Sequence, residues 1–401
     1  MKSILAVVVL LLACNASACI NGGTDADIQS ALNLGGDAVL CQFSSFTLYN
    51  TVQFKFPNTI IYTEYNPVGA ARAVLHVGAA SVVTAVTARN ISQAQLRNVI
   101  VDGGRPTFGY QRNFPQALVD FGGDASDQVV SWVEAYEPRG WSTVYMNEGN
   151  KSWNGSAWVG GCTGGQVTHN NVHNAGDHAN LYADGISYAC RNGYVGYNTV
   201  TDATDGGIIV FGAPGTLIES NTISNSNAIG LGGIGFDGIP YQRFVVINGT
   251  STLVNDSSGT IVQNNTISSG LYFGAVTMEI AVAMGPRAWW SSCDFPSNEA
   301  KVVYGATINN NMLSGANFEY GFVADGVDHL TATGNYLAQY SFGQFSFAAY
   351  DCSVHNQEPS NLFNVHDTHA TNSTIQTTIT KIGDGDYPVL YGQAHHLTHS
   401  P

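Results

Sequence analysis

Positive charge is scarce in this chain: 14 Lys and Arg stand against 29 Asp and Glu, for a formal net charge of −15. Nucleic acids and anionic bilayers are held through basic residues, so this balance excludes both as partners. Long apolar runs are also lacking. The one present, Ile4 to Ala13, follows Lys2 and is about half the ~20 residues that a bilayer span needs. It leads to the small-residue tripeptide Ala16-Ser17-Ala18 and reads as a secretory signal peptide over residues 1–18, cut before Cys19. With no second apolar segment, the expected product is released to the outside of the cell. No C-x-x-C pair occurs, which argues against a metal or redox motif. Cys14 lies in the leader, leaving Cys19, Cys41, Cys162, Cys190, Cys293 and Cys352, an even set that predicts three disulfides in an oxidising compartment. Fifteen pairings are open, and proximity favours Cys19–Cys41, Cys162–Cys190 and Cys293–Cys352. Glycosylation sequons start at Asn90, Asn150, Asn154, Asn248, Asn255, Asn264 and Asn372, as expected of a glycoprotein from a eukaryotic secretory route.

Helical periodicity is nearly absent too, while Gly, Asn, Thr, Val and Ile abound. A short pattern recurs in its place: Val167-Thr-His-Asn-Asn171-Val, Val195-Gly-Tyr-Asn198-Thr-Val, Ile218-Glu-Ser-Asn221-Thr-Ile, Ile261-Val-Gln-Asn-Asn265-Thr-Ile, Ile308-Asn-Asn-Asn311-Met-Leu and Leu330-Thr-Ala-Thr-Gly-Asn335-Tyr-Leu. The last Asn of each lies 27, 23, 44, 46 and 24 residues after the one before. Strands so closely repeated leave no room for helices between them. Each coil cannot bury its apolar face alone, so coils stack with equivalent strands ~4.8 Å apart. Asn tolerates left-handed backbone angles, and its amide can bond its copy in the next coil. Asn171, Asn198, Asn221, Asn265, Asn311 and Asn335 are therefore expected in one line.

A second strand, flanked by glycine, follows each Asn strand, as in Asp184-Gly-Ile-Ser-Tyr-Ala189 and Gly206-Gly-Ile-Ile-Val-Phe211. Two parallel sheets are the expectation. The fold class is thus all-β, a single-stranded right-handed parallel β-helix. Thr24-Asp-Ala-Asp27 ahead of Ile28 to Leu34 has a capping-box start and helical apolar spacing, which suits a short N-terminal helix covering the first coil. We divide the chain into the leader (1–18), an N-terminal cap with first coils (19–94), the β-helix (95–350) and a C-terminal cap with irregular tail (351–401). In that tail His395, His396 and His399 read as a solvated cluster rather than a metal site.

Acidic residues concentrate in Asp177-His178-Ala-Asn-Leu-Tyr182-Ala-Asp184-Gly-Ile and, one coil later, in Thr201-Asp202-Ala-Thr-Asp205-Gly-Gly-Ile. Aligned on their Ile residues, the strands bring Asp184 and Asp205 to within one residue of register. Neighbouring carboxylates repel in a partly dry groove, which raises one pKa and supplies a protonated acid. Asp-Gly is equally ordinary turn chemistry, the reading preferred for Asp102, Asp237 and Asp325. Asp202 also fits a ladder position in line with Ser224 and Ser268.

The order Asp184-Gly-Ile, then Thr204-Asp205-Gly, then an apolar strand resembles the catalytic coils of pectin-lyase-like β-helix glycoside hydrolases such as dextranases, α-1,3-glucanases and polygalacturonases. The likeness extends over most of residues 95 to 340 and is to secreted fungal β-helix proteins. Where the family carries an Asp-Asp pair this chain has Thr204-Asp205, and the Gly-His-Gly and Arg-x-Lys elements of polygalacturonases are missing. The resemblance implies a hydrolase acting on a cell-wall polysaccharide with an Asp184/Asp205 acid–base pair, assisted by Asp202, His178 and Tyr182. Asp177, Arg191, Trp141, Arg139, Glu279, Trp289 and Trp290 are the candidate substrate contacts, because aromatic faces and polar neighbours suit sugar rings. With so few cations, neutral glycans are favoured. No cofactor is required for hydrolysis. A second reading is a lyase or epimerase in which calcium on Asp177, Asp184, Asp202 and Asp205 neutralises a uronate while Arg191, Tyr182 or His178 takes the C5 proton. A third is a non-catalytic wall-binding protein. A monomer is expected in each case.

Overall fold

A computed structural model describes residues 19–388, except 112–115, 178–180, 238–239, 271–276, 286–301, 316–317, 325, 339–348, 352–353, 358–369, 377 and 382–384. The leader, His178, Trp289, Trp290, Cys293, Cys352 and the C-terminal histidines lie outside the described residues.

The chain winds into a right-handed parallel β-helix with three long sheets, not two. Sheet 1 has 11 strands, sheet 2 has 14 and sheet 3 has 9 among the described residues. One coil shows the plan. Leu217–Glu219 lies in sheet 1, Thr222–Asn225 in sheet 2 and Gly230–Asp237 in sheet 3, after which the chain returns to sheet 1 at Ile261–Gln263. The pattern read as one Asn-bearing strand is in fact two, split by a corner. In successive coils that corner is Asn98, Trp132, His169, Tyr197, Ser220, Asn264 and Asn310, every one with φ from 49° to 58°. A left-handed residue bends the chain sharply, so strands of three residues turn straight into the next sheet.

Inward rows fill the helix. Leu96, Val130, Val167, Val195, Ile218, Val262 and Ile308 line sheet 1 in register, and Val101, Ala135, Val172, Val200, Ile223 and Ile267 line sheet 2. All are buried. Each would contribute roughly 1.5–3 kcal/mol if fully taken from water as Val or Ile.

The Asn line begins at Asn170 rather than Asn171. Nδ2 of Asn170 donates to Oδ1 of Asn198 at 2.9 Å, and the same 2.9 Å bond runs Asn198→Asn221, Asn221→Asn265, Asn265→Asn311 and Asn311→Asn335. Each Oδ1 also accepts the backbone N–H of the preceding Asn, and each Nδ2 gives its second proton to a backbone carbonyl. The ladder position is three residues beyond the inward apolar residue. Asn171 is one further on and pairs at the surface with Glu134 and Thr199.

Thr24 caps the helix Asp25–Asn33 and Asp27 bonds back, the expected capping box, with Ile28 and Leu32 buried on the first coil. Disulfides join Cys19 to Cys41 and Cys162 to Cys190. Of the sequons, Asn90, Asn150, Asn154, Asn248, Asn264 and Asn372 are exposed. Asn255 is 1% exposed and inside a strand, so the folded chain cannot present it for glycosylation. Among the described residues, no helix is long and apolar enough to cross a membrane.

Candidate active site

Sheet 3 carries the acidic residues at the starts of two neighbouring strands that are themselves largely buried. Asp184 opens the strand Asp184–Tyr188, and Gly206 opens the neighbouring strand Gly206–Phe211. Ile186 faces Ile208, so Asp184 is level with Gly206 and Asp205 stands one residue ahead, the offset expected from sequence. The Gly206 N–H donates to Asp184 Oδ1 at 3.0 Å, and the Ser187 hydroxyl donates to Oδ2 at 2.7 Å while lying 2.8 Å from the Ser142 hydroxyl. Asp184 is 2% exposed. Burial, then the charges of Asp205 and Asp237, hold its carboxyl well above the usual range, against the opposing pull of the Ser187 and Gly206 bonds.

Asp205 differs. It is partly exposed, and its carboxylate accepts no hydrogen bond from the described residues. Desolvation and the charge of Asp237 push it up to about 6. Thr204, standing where the resembled family has a second Asp, is 1% exposed; its hydroxyl donates to Ala175 O at 3.0 Å and accepts the Ala183 N–H at 3.1 Å. A carboxylate cannot donate, so threonine here locks the coil that bears Asp184.

Aromatic rings bank the same face. Trp141 lies edge-on to Tyr145 at 4.9 Å and to Phe211 at 6.0 Å, and its carbonyl accepts the Asp184 N–H at 2.8 Å. Trp141 Nε1 is buried without a hydrogen-bond partner among the described residues. Gly176–Asp177 pairs with Leu181–Tyr182 in a small hairpin that leads into the Asp184 strand. Glu279 lies in the strand Met278–Met284, at the register of Leu231, the neighbour of Asp205.

Other candidates are placed elsewhere. Asp202 accepts the N–H groups of Ser226, Asn227 and Ala228 at 2.7, 2.9 and 3.3 Å and is 6% exposed, which commits it to a turn. It is not level with Ser224 either, because Thr201 holds that position. Arg139 is wholly buried, its guanidinium bonded to the carbonyls of Gly109, Val82 and Phe108, so it cannot touch a substrate. Desolvation lowers its pKa. Arg191 donates to the carbonyls of Trp158 and Gly160, pinning the hairpin Lys151–Gly160. The Cys162–Cys190 bridge sits just past the C-terminal end of the Asp184 strand and next to that hairpin; the expected clamp on the loop of Asp177 and His178 falls on residues outside those described. With Asp202 committed, the four-Asp calcium set is not gathered, and no group of three or more His, Cys, Asp or Glu among the described residues is arranged for a metal.

Sequence reasoning missed three participants. Asp237 ends the next sheet 3 strand and its charge reaches both acids. Ser187 is recognisable only once it is seen to share a face with Asp184. Asp120, two coils toward the N-terminus in the row Asp120–Tyr145–Ser187, pairs with Arg89 at 2.6 Å, and its other oxygen is buried without a partner among the described residues.

No protein-family model matches the chain, and no curated protein matches it by sequence. Solved structures do match in fold. Endo-xylogalacturonan hydrolase from Aspergillus tubingensis is similar with a TM-score of 0.54 at 11% identity, covering 92% of this chain and 88% of that one. Alginate lyase from a Paenibacillus species has a TM-score of 0.50 at 12% identity, covering 81% and 97%. A mutant tailspike protein of E. coli bacteriophage HK620, in complex with a pentasaccharide, has a TM-score of 0.51 at 12% identity, covering 80% and 58%. At such identity the likeness bears on fold alone: the chain shares the right-handed parallel β-helix of these proteins.

Proposed function

We propose that this chain is a secreted, monomeric polysaccharide-active enzyme, a glycoside hydrolase whose acid and base are Asp184 and Asp205. The observation that carries the reading is the adjacency of two carboxyls in unlike settings on neighbouring strands of one sheet. Asp184 is buried and hydrogen-bonded, while Asp205 is partly open and without a donor among the described residues. Their environments separate their proton affinities, which is how acid and base roles are assigned. Asp184 retains its proton and supplies it to the leaving oxygen. Asp205, ionised above about 6, takes a proton from the attacking water. Trp141, Tyr145 and Phe211 offer apolar ring surface beside the pair, as a sugar site requires. Proteins of this fold include a xylogalacturonan hydrolase, an alginate lyase and a tailspike holding a pentasaccharide, which supports a saccharide as ligand.

The calcium-dependent alternative is weaker, because Asp202 and Arg191 are committed to structural bonds. The test is a reducing-end assay over a polysaccharide panel with absorbance at about 235 nm, where an unsaturated uronate absorbs, followed in parallel. Hydrolysis raises reducing ends without absorbance, whereas β-elimination raises both and would refute the hydrolase reading. For a responsive substrate, activity should rise as pH passes about 6 and fall again where Asp184 loses its proton.

A further inference from the structure

The left-handed corner between sheets 1 and 2 is filled economically in five coils by Asn98, Ser220, Asn264, Asn310 and Gly334. Asn and Gly accept positive φ readily; bulky side chains do not. Exposed aromatics also stand left-handed in the longer connections of the first two coils, Phe43 at 60° and Tyr65 at 62°, but only three consecutive coils carry them at a short corner and stack them. Trp132, His169 and Tyr197 hold φ of 58°, 57° and 58°. Their rings are nonetheless left outside: Trp132 is 40% and Tyr197 51% exposed, and His169 is exposed as well. The rings pile along the helix axis, Trp132 on His169 at 4.4 Å and 18°, His169 on Tyr197 at 5.0 Å and 20°. The next residue in the column, Ser220, is too short to cover the outer face of Tyr197. Backbone strain kept for the sake of exposed aromatics points to a use for them.

A fourth ring completes the surface. A Cβ on Gly196 would meet the Tyr194 ring and hydroxyl at 2.5 Å, so the absence of a side chain there lets Tyr194 lie flat over the backbone with its other face outward. The Tyr194 hydroxyl donates to Glu219 at 3.1 Å, and Gln263 Nε2 donates to the second Glu219 oxygen at 2.8 Å. A flat ring, a neighbouring upright stack and an acceptor–amide pair are the parts from which a sugar-ring site is built, with apolar ring faces covered and hydroxyls bonded.

We infer that Tyr194, Tyr197, His169 and Trp132, with Glu219 and Gln263, form a non-catalytic binding site for a neutral polysaccharide at the corner of sheets 1 and 2, away from the acids on sheet 3. The carboxylate of the set, Glu219, would repel a polyuronide. This site stands whether or not Asp184 and Asp205 catalyse hydrolysis. Its test is affinity electrophoresis of the Asp184→Asn chain, chosen to suppress any hydrolysis by the acid pair, through gels holding β-glucan, xyloglucan, α-1,3-glucan or polygalacturonate. The comparison is the same chain carrying Trp132→Asn and Tyr197→Ser. Those replacements are the residue types used at this corner by neighbouring coils, so the melting temperature should hold or rise. The expected result is retardation in at least one neutral gel, weakened roughly tenfold by the two replacements, as loss of about 1.4 kcal/mol of ring contact would produce. Unchanged retardation, no retardation in any neutral gel, stronger retardation by polygalacturonate, or a fall in melting temperature with Tyr197→Ser alone would each overturn the proposal.

Discussion

Replacing Asp205 by Asn should make the protein more stable and far less active, and the two effects can be separated by pH. The carboxyl of Asp205 is raised from 3.8 to about 6, so the folded state holds its proton more tightly than the unfolded chain. Below pH 3.8 both states are protonated and the residue costs nothing. Between about pH 4 and 6 the unfolded chain ionises first, and stability falls as pH rises. Above about 6 the cost is complete. At 1.36 kcal/mol for each tenfold change in proton affinity it comes to about 3 kcal/mol. Asn has no charge to desolvate and removes this cost. With an unfolding entropy of roughly 2.1 cal/mol/K per residue over 401 residues, the gain is a melting point higher by roughly 3–4 °C at about pH 8, shrinking to none at about pH 3.5. Differential scanning calorimetry at the two pH values reads it directly. Turnover of a responsive polysaccharide should fall roughly 10²–10⁴-fold at the same time. Equal melting points at the higher pH, or a gain that is the same at both pH values, would show that Asp205 is not a desolvated carboxylate and would remove the physical basis of its role.

Asp184→Asn keeps an acceptor for the Gly206 N–H, so turnover should drop by roughly 10²–10⁴ in a protein that still melts cooperatively; full activity in the folded variant would sink the assignment. Arg139→Leu strips partners from buried carbonyls and should cost about 3–5 kcal/mol in chemical denaturation, while the fraction that folds retains normal KM; a raised KM with unchanged stability would restore Arg139 as a substrate contact. Asn221→Ala interrupts the amide ladder on both sides and should cost at least about 3 kcal/mol, and a loss below about 1 kcal/mol would mean the ladder is a by-product of packing.

Much of this architecture is legible in the chain. The coil period, the capping box at Thr24, two of the disulfides and the one-residue offset of Asp184 and Asp205 all follow from spacing and residue type. What escapes is instructive. The pattern suggests two sheets where three exist, because the corner separating sheets 1 and 2 is a single left-handed residue and leaves no turn signature. Asn171 takes the place of Asn170 in the pattern because two asparagines stand side by side, and only their distance from the inward Val167 distinguishes them. Arg139 and Asp202 look like site residues because their charge is visible in the sequence; the buried carbonyls and turn N–H groups that absorb it are not. Asp237 reads as a turn residue, and that its charge bears on both acids emerges only in the folded chain.

The corner between sheets 1 and 2 is one residue long in coil after coil, whereas the return from sheet 3 to sheet 1 admits whole hairpins such as Lys151–Gly160 and Gln242–Asp256. From the coil of Asn98 onward this corner is a fixed spine, while the return to sheet 1 is a variable rim, and the passage from sheet 2 to sheet 3 takes the smaller insertion Gly176–Tyr182. Segments on the variable rim are interchangeable parts. They can be lengthened, shortened or exchanged between coils without shifting the alignment of a single inward residue, and the acids on sheet 3 would keep their geometry while the walls around them were rebuilt. Such a division lets the surroundings of the acids change in length over a scaffold that stays still.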